Sequence, residues 1–179
     1  MHESADELAT LQQLLDDSFE KSSDHLRSIM EPQRRLSAQR LSAELPSRAV
    51  LNVATVTAQG EPRISAVDGH FLHGYWYFST LPEAMKTRQL VARPGVSASY
   101  TPKDGYGVFC HGQAVLLEGA EHQALVEQLA VAYATEPEVW ADVAGFRIDP
   151  HWMTAFAMTD EDMVEIEAQN ARIAAQNER

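Results

Sequence analysis

Ser79 and Thr80 end an aromatic run, and Lys86 follows six residues later. Two hydroxyls, the free N–H groups of a helix start and one ammonium are the parts of an anion site. The helix dipole and the lysine both favour negative charge there. The same spacing also describes an ordinary capped helix with a solvated lysine, because Thr80 and Glu83 stand three apart, as in a capping box. No Walker-type or G-x-G-x-x-G glycine pattern accompanies the segment.

Other residues with chemical potential read more plainly. His70 and His73 are three apart, which on a strand puts them on opposite faces and prevents joint metal binding. Cys110 and His111 are adjacent, so on a strand the imidazole cannot deprotonate the thiol. Cys110 then reads as a small buried hydrophobe. No metal site and no nucleophile elbow is expected. The aromatic residues read as core or interface, except Tyr106 and Trp152. These two sit beside turns or breaks and are candidates for lining a substrate pocket.

The elements that must position these groups follow from pattern. Residues 49–57, 63–72, 75–79, 96–101, 106–118 and 146–158 are rich in β-branched and aromatic residues, and His73-Gly74 is a hairpin signal. The last strand should break, or lie at an edge, at Pro150. Helical spacing marks 5–19, 24–31, 33–44, 82–92, 121–135 and a final helix capped by Thr159 or Asp160, with Met163, Ile166 and Ile173 inward. Hairpin-linked strands with few helices fit a six-stranded antiparallel barrel with peripheral helices, not a doubly wound sheet. Residues 1–46 form a helical N-terminal extension, and 47–179 form the barrel with its C-terminal helix.

The 179 residues carry a formal net charge of −12, with 45% apolar residues and one cysteine. That acidity argues against nucleic-acid and anionic-membrane partners. No apolar run approaches the roughly 20 residues of a membrane span, and MHESADEL lacks the basic and apolar regions of a signal peptide. A cytoplasmic protein is expected. One local exception is basic: residues 34–48 hold Arg34, Arg35, Arg40 and Arg48 against Glu44.

The segments EPRISAV, HGYWYFST, MKTRQLVARPGVSASY and GVFCHGQAVLLEG, in this order, resemble the pyridoxamine-5'-phosphate-oxidase-like split-barrel family of flavin- and deazaflavin-dependent oxidoreductases. The resemblance covers about residues 47–120. It implies a split β-barrel homodimer with FMN held between subunits. It places the phosphate on Ser79, Thr80 and Lys86, and the flavin edge along Arg63, Ser65, Ala66 and Val67. Many members carry a basic residue just ahead of the helix lysine, where this chain has Ala84 and Met85. The tail DEDMVEIEAQNARIAAQNER is acidic, unlike the arginine- and histidine-bearing tail of the oxidase itself. A small apolar or aromatic substrate is therefore expected rather than phosphorylated vitamin B6. Two alternatives stand beside the FMN oxidoreductase. One is a deazaflavin-dependent reductase, whose anionic cofactor tail would use the arginines of 34–48. The other is a flavin- or haem-binding protein without turnover.

Overall fold

In the computed structural model, which describes residues 3–177, six strands curl into one closed barrel. They are β1 (Ala49–Val56), β2 (Pro62–Leu72), β3 (Tyr75–Thr80), β4 (Gly95–Tyr100), β5 (Tyr106–Leu116) and β6 (Ala144–Ala157). The order around the barrel is β1-β2-β3-β6-β5-β4, and every neighbouring pair is antiparallel. Alternate residues fill the interior: Leu51, Val53, Phe71, Trp76, Phe78, Val108, Phe146, Ile148 and Met153 are all buried in one cluster. Cys110 lies among them, and burial pushes its thiol up to about 12. The β2–β3 hairpin turns through His73 and Gly74, at φ 54° and 83°. Two successive positive φ values match the twist of the flanking strands.

β6 runs unbroken through Pro150, contrary to the expected break or edge placement. A bulge absorbs the proline: His111 pairs with Trp152 but Gly112 pairs with Pro150, so His151 is the extra residue. On the other side the β3 ladder reaches no further than Ile148. The N–H that proline lacks is thus not needed there.

Helices wrap the barrel. α1 (Ala5–Glu20) starts at a reciprocal cap between Ser4 and Glu7 and buries Leu11, Leu15 and Ser18. Ser18 ties it to β6, since its Oγ accepts from the Met153 N–H at 2.9 Å and its carbonyl from Trp152 Nε1 at 3.2 Å. α2 (Asp24–Ile29) is short, and α3 (Ala38–Glu44) is capped by Ser37. The helix expected from residue 33 begins five residues later. The chain at Arg34–Leu36 pairs instead with β6: Leu36 N–H donates to the Ala155 carbonyl and Ala157 N–H to the Arg34 carbonyl, at 3.0 and 2.8 Å. Free strand-edge groups outcompete a helical start.

α4 (Met85–Ala92) packs against β1 and β5, α5 (Gly119–Tyr133) packs with a short 3-10 turn, Pro137–Trp140, and α6 (Asp160–Asn177) follows β6. Thr159 and Asp162 cap α6 reciprocally. Met163 and Ile166 are half-buried there, but Ile173, expected inward, is exposed. No helix among the described residues is long and apolar enough to cross a membrane.

Candidate functional site

The cleft sits where β2, β3 and α4 meet. Gly69 pairs with Phe78, so the register carries Asp68 and Val67 alongside Ser79 and Thr80. Ala66, Val67, Asp68, Ser79, Thr80 and Lys86 line a cleft of about 350 Å³, with Tyr133, Trp140 and Val143 as its far wall. Lys86 Nζ donates to Thr80 Oγ1 at 3.4 Å.

The start of α4 differs from the capping box that the spacing suggested. Its cap position is Ala84, and no side chain bonds the first turn. Thr80 and Glu83 fall before the helix, because Thr87 Oγ1 and Ala84 N–H both donate to the Leu81 carbonyl and close a turn there, at 2.7 and 3.1 Å. The first N–H groups of α4 are left without a side-chain partner, next to two hydroxyls and an ammonium. That donor set fits a phosphate.

Strand alternation sorts the remaining expected contacts. Val53 faces Ser65 and Thr55 faces Arg63 across β1 and β2, and Val53 and Thr55 are buried. Ser65 and Arg63 share that side with Val67, but they lie further along β2, with Arg63 exposed, and neither lines the cleft. Arg63 pairs with Glu61 at 2.8 Å. The outward positions of β2 are Ile64, Ala66 and Asp68. Of the seven residues assigned to the cofactor by resemblance, five meet at the cleft.

The two candidate substrate residues lie elsewhere. Trp152 stacks on His111, with ring centroids 4.8 Å apart, beneath α1. Tyr106 lines a different pocket, of about 450 Å³, with Tyr100, Arg40, Glu44 and Met158. Its phenol, buried and close to Glu44, is pushed up to about 12.

The basic run does not gather at the cleft. Arg34 bonds Asp162 through Nε at 3.0 Å and Nη2 at 2.5 Å, and this holds the Asp162 carboxyl well below the usual range. Arg35 pairs with Asp16, and Arg40 with Glu44. Arg48 alone reaches the cleft wall, with its guanidinium 4.9 Å above the Tyr133 ring.

Spacing did not reveal Tyr133, Trp140 or Asp68. Tyr133 donates its hydroxyl to Asp68 and stands edge-on to His70 at 6.4 Å. The sequence signal for Trp140 was faint: an aromatic just after a helix end.

His70 lies under this wall, fully buried. Its Nδ1 bonds the Ser47 carbonyl at 2.8 Å, so that nitrogen carries the proton, and Nε2 has no partner among the described residues. Burial lowers its pKa. A histidine kept neutral on folding contributes full stability above its ordinary pKa of about 6.5 and loses it as pH falls below that value. We expect the melting temperature to decline between pH 7 and pH 5. The decline should be shallower in His70→Phe, as thermal unfolding across that range would show. Equal slopes would remove His70 as a cause. His111, also lowered by burial, contributes to both slopes alike.

The chain matches no family model and no curated protein sequence. Solved structures do match. A conserved hypothetical protein from Mycobacterium tuberculosis aligns with a TM-score of 0.60 at 18% identity, over 71% of this chain and 88% of that one. An FAD-binding protein from Mesorhizobium loti gives 0.55 at 19%, over 70% and 98%. PhzG from Burkholderia lata, in complex with tetrahydrophenazine-1-carboxylic acid, gives 0.51 at 18%, over 80% and 85%. The fold is the six-stranded split barrel that flavin-binding proteins share, as the sequence resemblance implied.

Proposed function

We propose that this chain is a flavin-dependent oxidoreductase of the pyridoxamine-phosphate-oxidase-like type, with FMN as cofactor and a small apolar or aromatic substrate. The observation that carries this reading is the cleft itself: Ser79, Thr80, Lys86 and an uncapped helix start beside the exposed edge of β2. A bound flavin would supply the electron transfer. The residues of this chain would anchor its phosphate and offer the backbone of Ala66 and Val67 to its ring. FMN is favoured over a deazaflavin because Arg34, Arg35 and Arg40 are each engaged by a carboxylate. A polyanionic tail would have to break those pairs.

The proposal includes a homodimer. The outward face of β1 and β2 carries an apolar patch, with Val50 63% and Ile64 72% exposed and Ala54 and Ala66 between them, beside the polar Asn52 and Asp68. It adjoins the cleft, so a second copy seated there would roof the flavin ring. Such an interface should bury about 2,000 Å² in total. The proposal places the protein in the cytoplasm, where its single cysteine stays reduced.

Absorption spectroscopy of the purified protein, followed by titration of FMN and of the deazaflavin coenzyme, tests the cofactor. FMN should bind more tightly, and Arg34→Ala with Arg35→Ala should leave its affinity unchanged. A Soret band, or a deazaflavin affinity tenfold above that of FMN, would overturn the assignment. Light scattering at micromolar concentration should show twice the 19.9 kDa chain mass, and Ile64→Asp should shift it toward one.

A further inference from the structure

The turn between β4 and β5, residues 101–105, closes on the start of α6. Gly105 permits the approach: its φ is 72°, and a Cβ there would lie 2.7 Å from Met163 Sδ and 3.1 Å from Met158 Cβ. The Met158 N–H donates to the Gly105 carbonyl at 2.7 Å and ties the two segments together. Arg40 and Glu44 of α3 line the gap that remains. The result is the pocket of about 450 Å³ at Tyr106, within the roughly 300–1,000 Å³ of small-ligand sites. It shares no lining residue with the cleft.

Tyr106 is the buried wall of this pocket, only 8% exposed. Its hydroxyl is wholly buried and has no hydrogen-bond partner among the described residues. The charges that act on it are those of Glu44 and Arg40, which line the same pocket, so the phenol end of the ring is turned to that side. Arg40 Nε and Glu44 Oε1 bond each other at 2.5 Å instead. Burial keeps the phenol protonated at neutral pH, which makes it a donor in search of an acceptor. A buried polar group left in that state is costly, and a ligand oxygen would satisfy it.

The charges around the opening narrow the class of ligand. Arg40 and Glu44 neutralise one another. That leaves Lys103 and Asp104 on the turn and Asp160 at the start of α6. All three are exposed, and none makes an ion pair with a described residue. A simple anion would face the two carboxylates, and a simple cation would face the lysine. A molecule carrying both an ammonium and a carboxylate suits the set. Tyr100, Pro102, Met158 and Met163 supply an apolar wall, and methionine sulphur packs well against an aromatic ring.

We propose that the Tyr106 pocket binds a free α-amino acid with an apolar or aromatic side chain. Its carboxylate accepts from the Tyr106 hydroxyl and pairs with Lys103. Its ammonium faces Asp104 and Asp160, and its side chain lies against Met158 and Met163. The pocket is separate from the cleft, so this inference stands or falls independently of the flavin reading.

Isothermal titration of the purified chain with L-phenylalanine is the test. Phenylpropionate, which lacks the ammonium, and phenethylamine, which lacks the carboxylate, are run beside it. L-phenylalanine should bind about tenfold or more tightly than either. Tyr106→Phe should weaken its binding about ten- to a hundredfold. The melting temperature of that variant without ligand should be no lower than that of wild type, because the lost hydroxyl had no partner. Lys103→Ala, on an exposed turn, should weaken L-phenylalanine and leave phenethylamine unchanged. No binding of L-phenylalanine at millimolar concentration overturns the proposal, as does equal binding of either analogue. Undiminished binding by Tyr106→Phe overturns it too, and so does a lower melting temperature, which would give the hydroxyl a structural partner.

Discussion

Lys86→Ala is expected to weaken flavin binding about ten- to a hundredfold without unfolding the protein. The argument has three parts. Lys86 is half-buried on the first turn of α4 and bonds only Thr80 Oγ1, at a long 3.4 Å. Removing it therefore leaves no buried partner stranded, and little stability should be lost. A charge-assisted hydrogen bond to phosphate contributes about 1.5–3 kcal/mol, and the lost affinity follows from that figure. The helix start keeps its free N–H groups, so residual binding is expected. A titration with unchanged affinity, on a variant with unchanged melting temperature, would make Lys86 a surface lysine and move the phosphate elsewhere. Arg88 serves as the control: it is exposed on the same helix and does not line the cleft. Arg88→Ala should leave the affinity alone.

The largest effect on stability is expected from Gly112→Ala. A Cβ at this position would lie 2.9 Å from the Asp149 carbonyl carbon, closer still to its oxygen, and 3.0 Å from Pro150 Cα. These are backbone atoms, held by the bulge that lets β6 pass its proline. No side chain can swing aside, so one of the two strands must shift. Overpacking of this kind costs about 3 kcal/mol. For a chain of this size that is a fall of roughly 6–12 °C in melting temperature. Differential scanning calorimetry of the variant gives the value. Gly95→Ala is the comparison, because a Cβ there meets nothing within 4 Å. A Gly112→Ala melting point equal to that of Gly95→Ala would mean that the bulge is softer than its close contacts imply.

Local pattern carried the strands, the β2–β3 hairpin and the fold class, because alternation and a His-Gly turn are properties of neighbouring residues. The same is true of the segment from Ser79 to Lys86: its hydroxyls and its lysine are brought together by one strand end and one helix start. What sequence order alone could not determine involves partners far along the chain. The helix expected from residue 33 lost its first turns to pairing with β6, more than a hundred residues away. The basic run around it was real in composition and absent as a patch, since Arg34 meets Asp162 only across that distance. Pro150 read as a break because a single strand cannot show that its partner carries Gly112 opposite.

The cleft divides the same way. Ser79, Thr80 and Lys86 were legible as residues, but only the β2–β3 register set Asp68 and Val67 beside them and left Ser65 and Arg63 further along β2, outside the cleft. Trp140 reached Tyr133, at the end of α5, through a left-handed residue at Ala134. No spacing rule anticipates such a turn, because its strain is tolerated only when tertiary packing holds the aromatic rings in place. The sequence by itself therefore determined most of the elements and the local grouping of Ser79, Thr80 and Lys86. The tertiary structure decided which arginines stay free and what stands opposite the lysine, because long-range pairing and sheet parity are contacts between distant residues.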